Sequence, residues 1–297
     1  MYFQPTYEDG GFRCGLKLHS TDNIGHEALT WFFTYERFIH AEVMTHRWSR
    51  NYSSSRAIPY KVMMDWISQF PAMHLHWGLN QSGMQSSSAT VGDVSSLKEK
   101  VDRQFRRTRR WCDGIVARWN PHKEIINRYT EPWGWITGMA TMGRAQFFNF
   151  INLRCTRFAN PNIQRLAINM LRLYKSSIPQ RLDYGEWHTP WFHDYIPYGE
   201  LGSPGVSNAL VWSTARSAWI SYNSPDKVAT WETAMKRHND CVELKHVTPL
   251  EHQLLCGATG GLVPGFGSYR MMVPGESCSA LDIDALLALY EGKDYLI

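Results

Sequence analysis

No stretch of this sequence is apolar for the roughly 18 to 20 residues that a membrane span requires. Even the apolar run from Phe147 to Leu153 is broken by Asn149 and Asn152. The opening residues, Met1-Tyr2-Phe3-Gln4-Pro5, lack the basic segment and apolar core of a signal peptide, so a soluble, cytoplasmic protein is expected. The six cysteines, Cys14, Cys112, Cys155, Cys241, Cys256 and Cys278, show no CxxC spacing. That pattern argues against a zinc site and a disulfide framework and predicts free thiols. An HExxH pattern is missing as well, and no metal is expected. The formal net charge of +4 is too small to imply nucleic-acid binding. There is no internal repeat and no low-complexity tail.

What remains is a chain of 297 residues, 43% hydrophobic and 20% charged, long enough to bury a large core as one domain over 1–297 or as two packed lobes. Residues 27–44 read as a strand running into a helix, and Thr45 to Arg56 as a polar loop stopped at Ile58-Pro59. Helical periodicity resumes over 60–70, and 80–96 is a polar, exposed connection. A helical region spans 94–175: a long charged helix or helix pair interrupted near Asn120-Pro121, then a helix with Pro161 in its first turn behind an Asn160 cap. Gly185 to Pro204 reads as an ordered aromatic loop. Helices are expected near 215–222 and 227–238, which makes the fold class α/β or α+β, a mixed sheet with long helices.

Three guanidiniums, an imidazole and several hydroxyls fall within the twelve residues Thr45 to Arg56. Arg pairs bidentately with phosphate oxygens, and serine hydroxyls with exposed backbone N–H groups complete such a cradle; a solvated basic loop is the competing reading. Arg128 and Arg154 each stand in an apolar, helix-like context, where an arginine needs an anion, either a ligand or an internal carboxylate. The run Arg103 to Arg110 holds five arginines, and a solvated helix face is the reading its pattern favours. His246 to His252 carries His, Glu and His, but its spacing fits the start of a helix with Glu251 in the first turn better than a metal site.

With these residues in view, His46-Arg47 followed by Ser54-Ser55-Arg56 resembles the RHR-x7-S signature of flavin-dependent thymidylate synthases. Phe148 to Arg154 is similar to that family's NFLNLR-type helix. The neighbourhoods Arg37 to Pro59, Gly185 to Pro190 and Ala215 to Tyr222 resemble a long, often phage-encoded branch, so the likeness covers most of the chain. The motif order differs. Segments resembling ARVSY and GHxTPFEH, here Ala218 to Tyr222 and His246 to His252, follow the RHR-like loop instead of preceding it. The chain therefore looks circularly permuted, with flavin-site segments at 213–255 returning to the nucleotide-flavin motifs at 26–60; such a change is tolerable where the original termini lie close together. It also departs from the family at Thr45 (for Arg), Glu42 (for Gln), Tyr52 (for an acidic residue) and Gly143 and Ala145 (for polar flavin contacts), and one residue is missing between Arg47 and Ser54.

The resemblance implies a homotetramer that binds FAD through His46, Arg47, Asn51, Asn149, Ser221, His246 and Thr248. It implies a pyrimidine deoxynucleotide, dUMP or dCMP, held by Glu42, Ser54, Ser55, Arg56, Arg128 and Arg154, with Arg154 and Ser54 as the catalytic pair. The implied reaction makes dTMP from dUMP, with NADPH and methylenetetrahydrofolate as co-substrates and reduced FAD as hydride donor. Two alternatives stand beside it. One is a related dCMP or dUMP methylase or hydroxymethylase for modified phage DNA. The other is an inactive nucleotide- or RNA-binding homologue.

Overall fold

In the computed structural model, residues 6–192, 206–223, 230–244 and 246–273 are described. Most of the expected aromatic loop at 185–204, together with Cys278, lies outside them. Three strands open the chain: β1 (Thr6–Asp9), β2 (Phe12–Thr21) and β3 (Glu27–Glu36). A 3-10 turn then leads into the short helix α1 (His40–Val43). Next come β4 (Ser49–Tyr52), α2 (Tyr60–Gln69), the long α3 (Val94–Trp119) and α4 (Lys123–Ile126), and then β5 (Trp135–Gly143). Helices α5 (Arg144–Arg154) and α6 (Pro161–Ser176) are followed by β6 (Gln180–Arg181) and β7 (Trp187–His188). The C-terminal part supplies α7 (Val206–Trp219), α8 (Trp231–Glu243), β8 (Leu254–Cys256) and β9 (Phe266–Ser268).

The main sheet runs β1-β2-β3-β5-β4, with β6 beside β2. Every pairing in it is antiparallel except the two-residue β2–β6 contact. The architecture is thus α+β with a largely antiparallel sheet, and β7-β8-β9 form a second, antiparallel one. Alternation along β3 divides the layers, because successive side chains of a strand point to opposite faces. Leu29, Trp31, Phe33 and Tyr35 enter the core with Phe147 and Phe150 of α5 and Ile163, Leu166 and Met170 of α6. Full burial of each aliphatic or aromatic chain there contributes about 1.5–3 kcal/mol. Thr30 and Phe32 face the opposite layer, where His188 and Trp191 meet them. Both faces are therefore covered. Gly138 of β5 leaves room for rings from the two neighbouring strands: a Cβ there would come within 2.4 Å of the Tyr52 ring and 2.7 Å of Phe33.

The helix ends follow local chemistry. Asp93 caps α3 by accepting from the Ser96 N–H, and Asn120 ends it in the left-handed region at φ 44°. Asn160 caps α6 with Pro161 in its first turn, as the sequence predicts. The Arg103 to Arg110 stretch lies on α3 with ion pairs from Arg103 to Glu99, Arg106 to Asp102 and Arg109 to Asp113, consistent with a solvated helix face. Among the described residues no helix is long and apolar enough to cross a membrane. Thr45 to Arg56 is not wholly a loop: Ser49–Tyr52 is a strand, because its backbone pairs with Gly138 to Thr141 of β5.

Candidate functional site

Arg154, the last residue of α5, reaches back over the turn that follows α1. Its Nε donates to His46 Nε2 at 3.0 Å, one terminal nitrogen pairs with the Glu42 carboxylate at 3.4 Å, and the other donates to the Glu42 carbonyl and the Thr45 hydroxyl at 3.3 and 3.2 Å. The anion that an arginine in this setting requires is thus internal. His46 is buried between Trp48, stacked at 5.3 Å, and Phe150, edge-on at 4.8 Å. Burial, and then the Arg154 charge, push its pKa down to about 4, so the ring is neutral at pH 7. Because a guanidinium only donates, Nε2 accepts and the proton sits on Nδ1.

The three guanidiniums of the loop have different situations. Arg50 donates to the Met44 and His46 carbonyls and fastens the turn. Arg47 is exposed and makes no side-chain hydrogen bond or ion pair with the described residues. Arg56 pairs with Glu124 at 3.1 Å. Ser53 and Ser55 are buried, and Ser54 is half-buried with its hydroxyl accepting from the Arg56 N–H at 3.2 Å. Among the described residues no imidazole or carboxylate hydrogen-bonds the Ser54 hydroxyl, so nothing here activates it as a nucleophile. Behind the turn, the buried Asn127 amide donates to the Ser55 and Ile58 carbonyls at 2.8 and 2.9 Å, and Lys123 donates to the Ala57 carbonyl at 2.8 Å. Arg128, expected in an apolar context, is exposed instead and faces Glu124 at 3.9 Å. The buried positions beside it are Ile126, the last residue of α4, and Asn127, the first of the 3-10 turn.

The C-terminal segments do return to this loop. The Asn51 amide donates to the Ser217 carbonyl at 2.6 Å, and the Ser54 N–H donates to the Ser221 carbonyl at 2.9 Å. Asn51 and Ser217, 166 positions apart, therefore share one wall, and the 3-10 turn Thr248–His252 packs on β4. Ser221 is half-buried, while His246, Thr248 and, on α5, Asn149 are exposed. None of these four side chains makes a hydrogen bond with the described residues. His252 goes elsewhere: its Nδ1 meets Thr141 at 2.8 Å, Thr141 meets Thr30 at 2.7 Å, Thr30 meets His188 Nε2 at 2.8 Å, and His188 Nδ1 meets Ser20 at 2.8 Å. Both rings are fully buried and pushed down to about 3 by that burial. This chain of hydroxyls and imidazoles ties the C-terminal layer to the sheet. Sequence reasoning did not single out His188 or Asn127, whose roles depend on long-range partners that no local spacing reveals.

A cavity of about 560 Å³ lies between the β2–β3 turn and the loop Cys256 to Phe266, with Tyr184 at its edge. It shares no lining residue with the Arg154 cluster, and its one carboxylate, Asp22, is already taken by His26 at 2.7 Å and by two backbone N–H groups. The groups able to handle anions and protons are gathered instead around Arg154 and the 53–58 turn. Comparison with known proteins finds no matching family model and no matching curated protein.

Proposed function

We propose that this chain is a flavin-dependent thymidylate synthase with a permuted motif order, converting dUMP to dTMP. The observation that carries the reading is the junction of Asn51 and Ser54 with Ser217 and Ser221: the two halves of the motif set, far apart in sequence, meet through hydrogen bonds to backbone carbonyls. The finer fold assignment, a flavin-dependent thymidylate synthase-like domain assembling as a homotetramer, belongs to the same proposal.

The donor set suits FAD. Arg47, Asn149, His246, Thr248 and Ser221 offer a guanidinium, an amide, an imidazole and hydroxyls that the described protein leaves unengaged, matching a diphosphate and the polar rim of a flavin. When bound and reduced by NADPH, FAD supplies the hydride, and methylenetetrahydrofolate the carbon. The protein's part is orientation and charge. Arg56 and Arg128 hold the nucleotide phosphate with Ser54 and Ser55 at the turn. Arg154, preset by Glu42, Thr45 and the neutral His46, stands against the pyrimidine carbonyl and stabilises negative charge that develops as carbon 5 becomes nucleophilic. His46 keeps Arg154 aimed without adding a second positive charge.

The half-buried Glu42 carboxylate beside Arg154 favours one second reading, an enzyme acting on dCMP, since a carboxylate accepts from a cytosine amino group. One experiment separates these readings. The purified protein is examined for a flavin absorption spectrum, then incubated with dUMP or dCMP, methylenetetrahydrofolate and NADPH, and the product is weighed by mass spectrometry. A product heavier by a methyl group on dUMP supports the proposal. A colourless protein that turns over neither nucleotide when supplied with FAD overturns it.

A further inference from the structure

The two arginines assigned to the nucleotide phosphate converge on a single oxygen of the protein itself. Arg56 Nε lies 3.1 Å from Glu124 Oε1, and an Arg128 terminal nitrogen lies 3.9 Å from that same Oε1. Arg56 comes from the turn after β4 and Arg128 from the 3-10 turn after α4, so the fold brings them together from separate segments. Lys123 and Asn127 fasten the two segments to each other through the Ala57, Ser55 and Ile58 carbonyls. The guanidiniums are 67% and 60% exposed and the carboxylate 38% exposed, so a ligand can reach all three groups. An oxyanion between two guanidiniums is the arrangement a phosphate would take, and here a carboxylate already holds it.

Resting on the proposed nucleotide reading, we infer that Glu124 is a built-in competitor for the phosphate subsite, an internal anion that the nucleotide must displace. Solvent-exposed Arg–carboxylate pairs contribute little, so displacement costs little. A phosphate dianion brings more charge and more acceptor oxygens than the carboxylate and wins both arginines. A neutral ligand of the same base cannot displace Glu124. The device therefore weakens nucleotide binding modestly and penalises nucleosides not at all, because they do not use the subsite. It also prevents the two guanidiniums from repelling each other when no nucleotide is present.

The test is calorimetric titration of the full-length protein with dUMP and, separately, with deoxyuridine, comparing wild type, Glu124→Gln, Glu124→Asp, Arg56→Ala and Arg128→Ala. Glu124→Gln removes the competing charge and is expected to bind dUMP roughly two- to fivefold more tightly. Glu124→Asp, which retains the charge, should stay nearer wild type, and deoxyuridine affinity should be the same in all three. Weaker or unchanged dUMP binding in Glu124→Gln overturns the inference, since Glu124 would then position the arginines or do nothing. If wild type binds dUMP but neither arginine variant weakens it, the phosphate site lies elsewhere and both this inference and that part of the functional reading fall. A wild-type protein that does not bind dUMP overturns both as well.

Discussion

Arg154 and His46, separated by 108 positions, are joined by a 3.0 Å hydrogen bond in which the guanidinium donates to a neutral imidazole. The pairing fixes the tautomer of the ring and the heading of the guanidinium together, and it makes the two groups report on each other. If Arg154 stabilises charge on the pyrimidine, Arg154→Ala should lower single-turnover flavin oxidation by about a hundredfold or more, near 3 kcal/mol. Flavin binding should survive. Stability should fall by no more than about 2 kcal/mol, because Glu42 is partly solvated and is not abandoned in a dry core. His46 should titrate above its wild-type value of about 4, since one of the two causes of its depression is gone. A variant with near-normal chemistry and a lowered melting temperature would leave Arg154 as scaffold only.

The buried imidazoles of His188 and His252 predict acid sensitivity. Both are held near pKa 3 in the folded protein, against an ordinary value of 6.5. Below pH 6.5 the unfolded chain therefore takes up protons that the folded chain refuses, and stability falls by about 1.4 kcal/mol per pH unit for each proton. Their contribution is intact above about pH 7, declines between about 6.5 and 3, and levels off below that. Urea midpoints measured from pH 7.5 to 4.5 should fall more steeply for wild type than for His252→Gln. Parallel profiles would mean that the folded ring takes up its proton in this window as the unfolded one does, and is not held low by burial.

The polar cluster of the candidate site is legible in the sequence because its residues fall in one short run. The cluster at Thr45 to Arg56 stands out by composition, and the strand-to-helix step at 27–44 stands out by β-branched and aromatic residues followed by apolar residues at helical spacing. What stayed hidden depends on partners. Strand β5 interrupts the region 94–175 that reads as helical: Ile136 to Gly143 are buried on both faces of the sheet, so no polar alternation marks a strand there. The short β4 read as loop because its four residues, Ser49 to Tyr52, are mostly polar and owe their extended form to β5. Arg128 looked buried because Ile125 and Ile126 flank it, yet the local backbone is a 3-10 turn that sends Arg128 outward. Glu42 could not be paired with Arg154 from spacing, since that contact spans 112 positions, nor Glu124 with Arg56, whereas Glu124 and Arg128 are an i,i+4 pair of the kind local spacing allows.

On the proposed reading, Glu42, paired with Arg154, contributes to the choice of base. Its carboxylate accepts from Arg154 and, as an acceptor only, favours a cytosine amino group over a uracil N–H-and-carbonyl edge. Glu42→Gln should therefore shift the ratio of dUMP to dCMP turnover toward dUMP by about tenfold in a competition assay, the scale expected when a polar contact to the base is exchanged. An unchanged ratio, with Arg154 still required, would place Glu42 with the positioning groups and not with the specificity contacts.

Asn127 ties the fold to the 53–58 turn, which the proposed reading assigns to the nucleotide phosphate. Its side chain is fully buried, and its amide donates to the carbonyls of both Ser55 and Ile58, one on each side of Arg56 and Ala57. Asn127→Ala removes both donors at once and leaves two carbonyls without them in a region where water has little access. Each lost partner costs roughly 1–3 kcal/mol, so a stability loss of about 2–6 kcal/mol is expected in urea denaturation. Asn127→Asp should be no better, since a carboxylate offers acceptors to carbonyls that need donors. The same turn carries Ser54, Ser55 and Arg56, while Lys123 still ties Ala57 to α4, so the turn should loosen without leaving its place. Affinity for dUMP should fall together with stability, whereas affinity for FAD, which the proposed reading assigns largely to Arg47, Asn149 and the C-terminal segments, should change much less. Measuring both affinities well below the unfolding temperature separates the two effects. Equal loss of FAD and dUMP binding would indicate general unfolding, and loss of stability with unaltered dUMP affinity would remove the 53–58 turn from the nucleotide site.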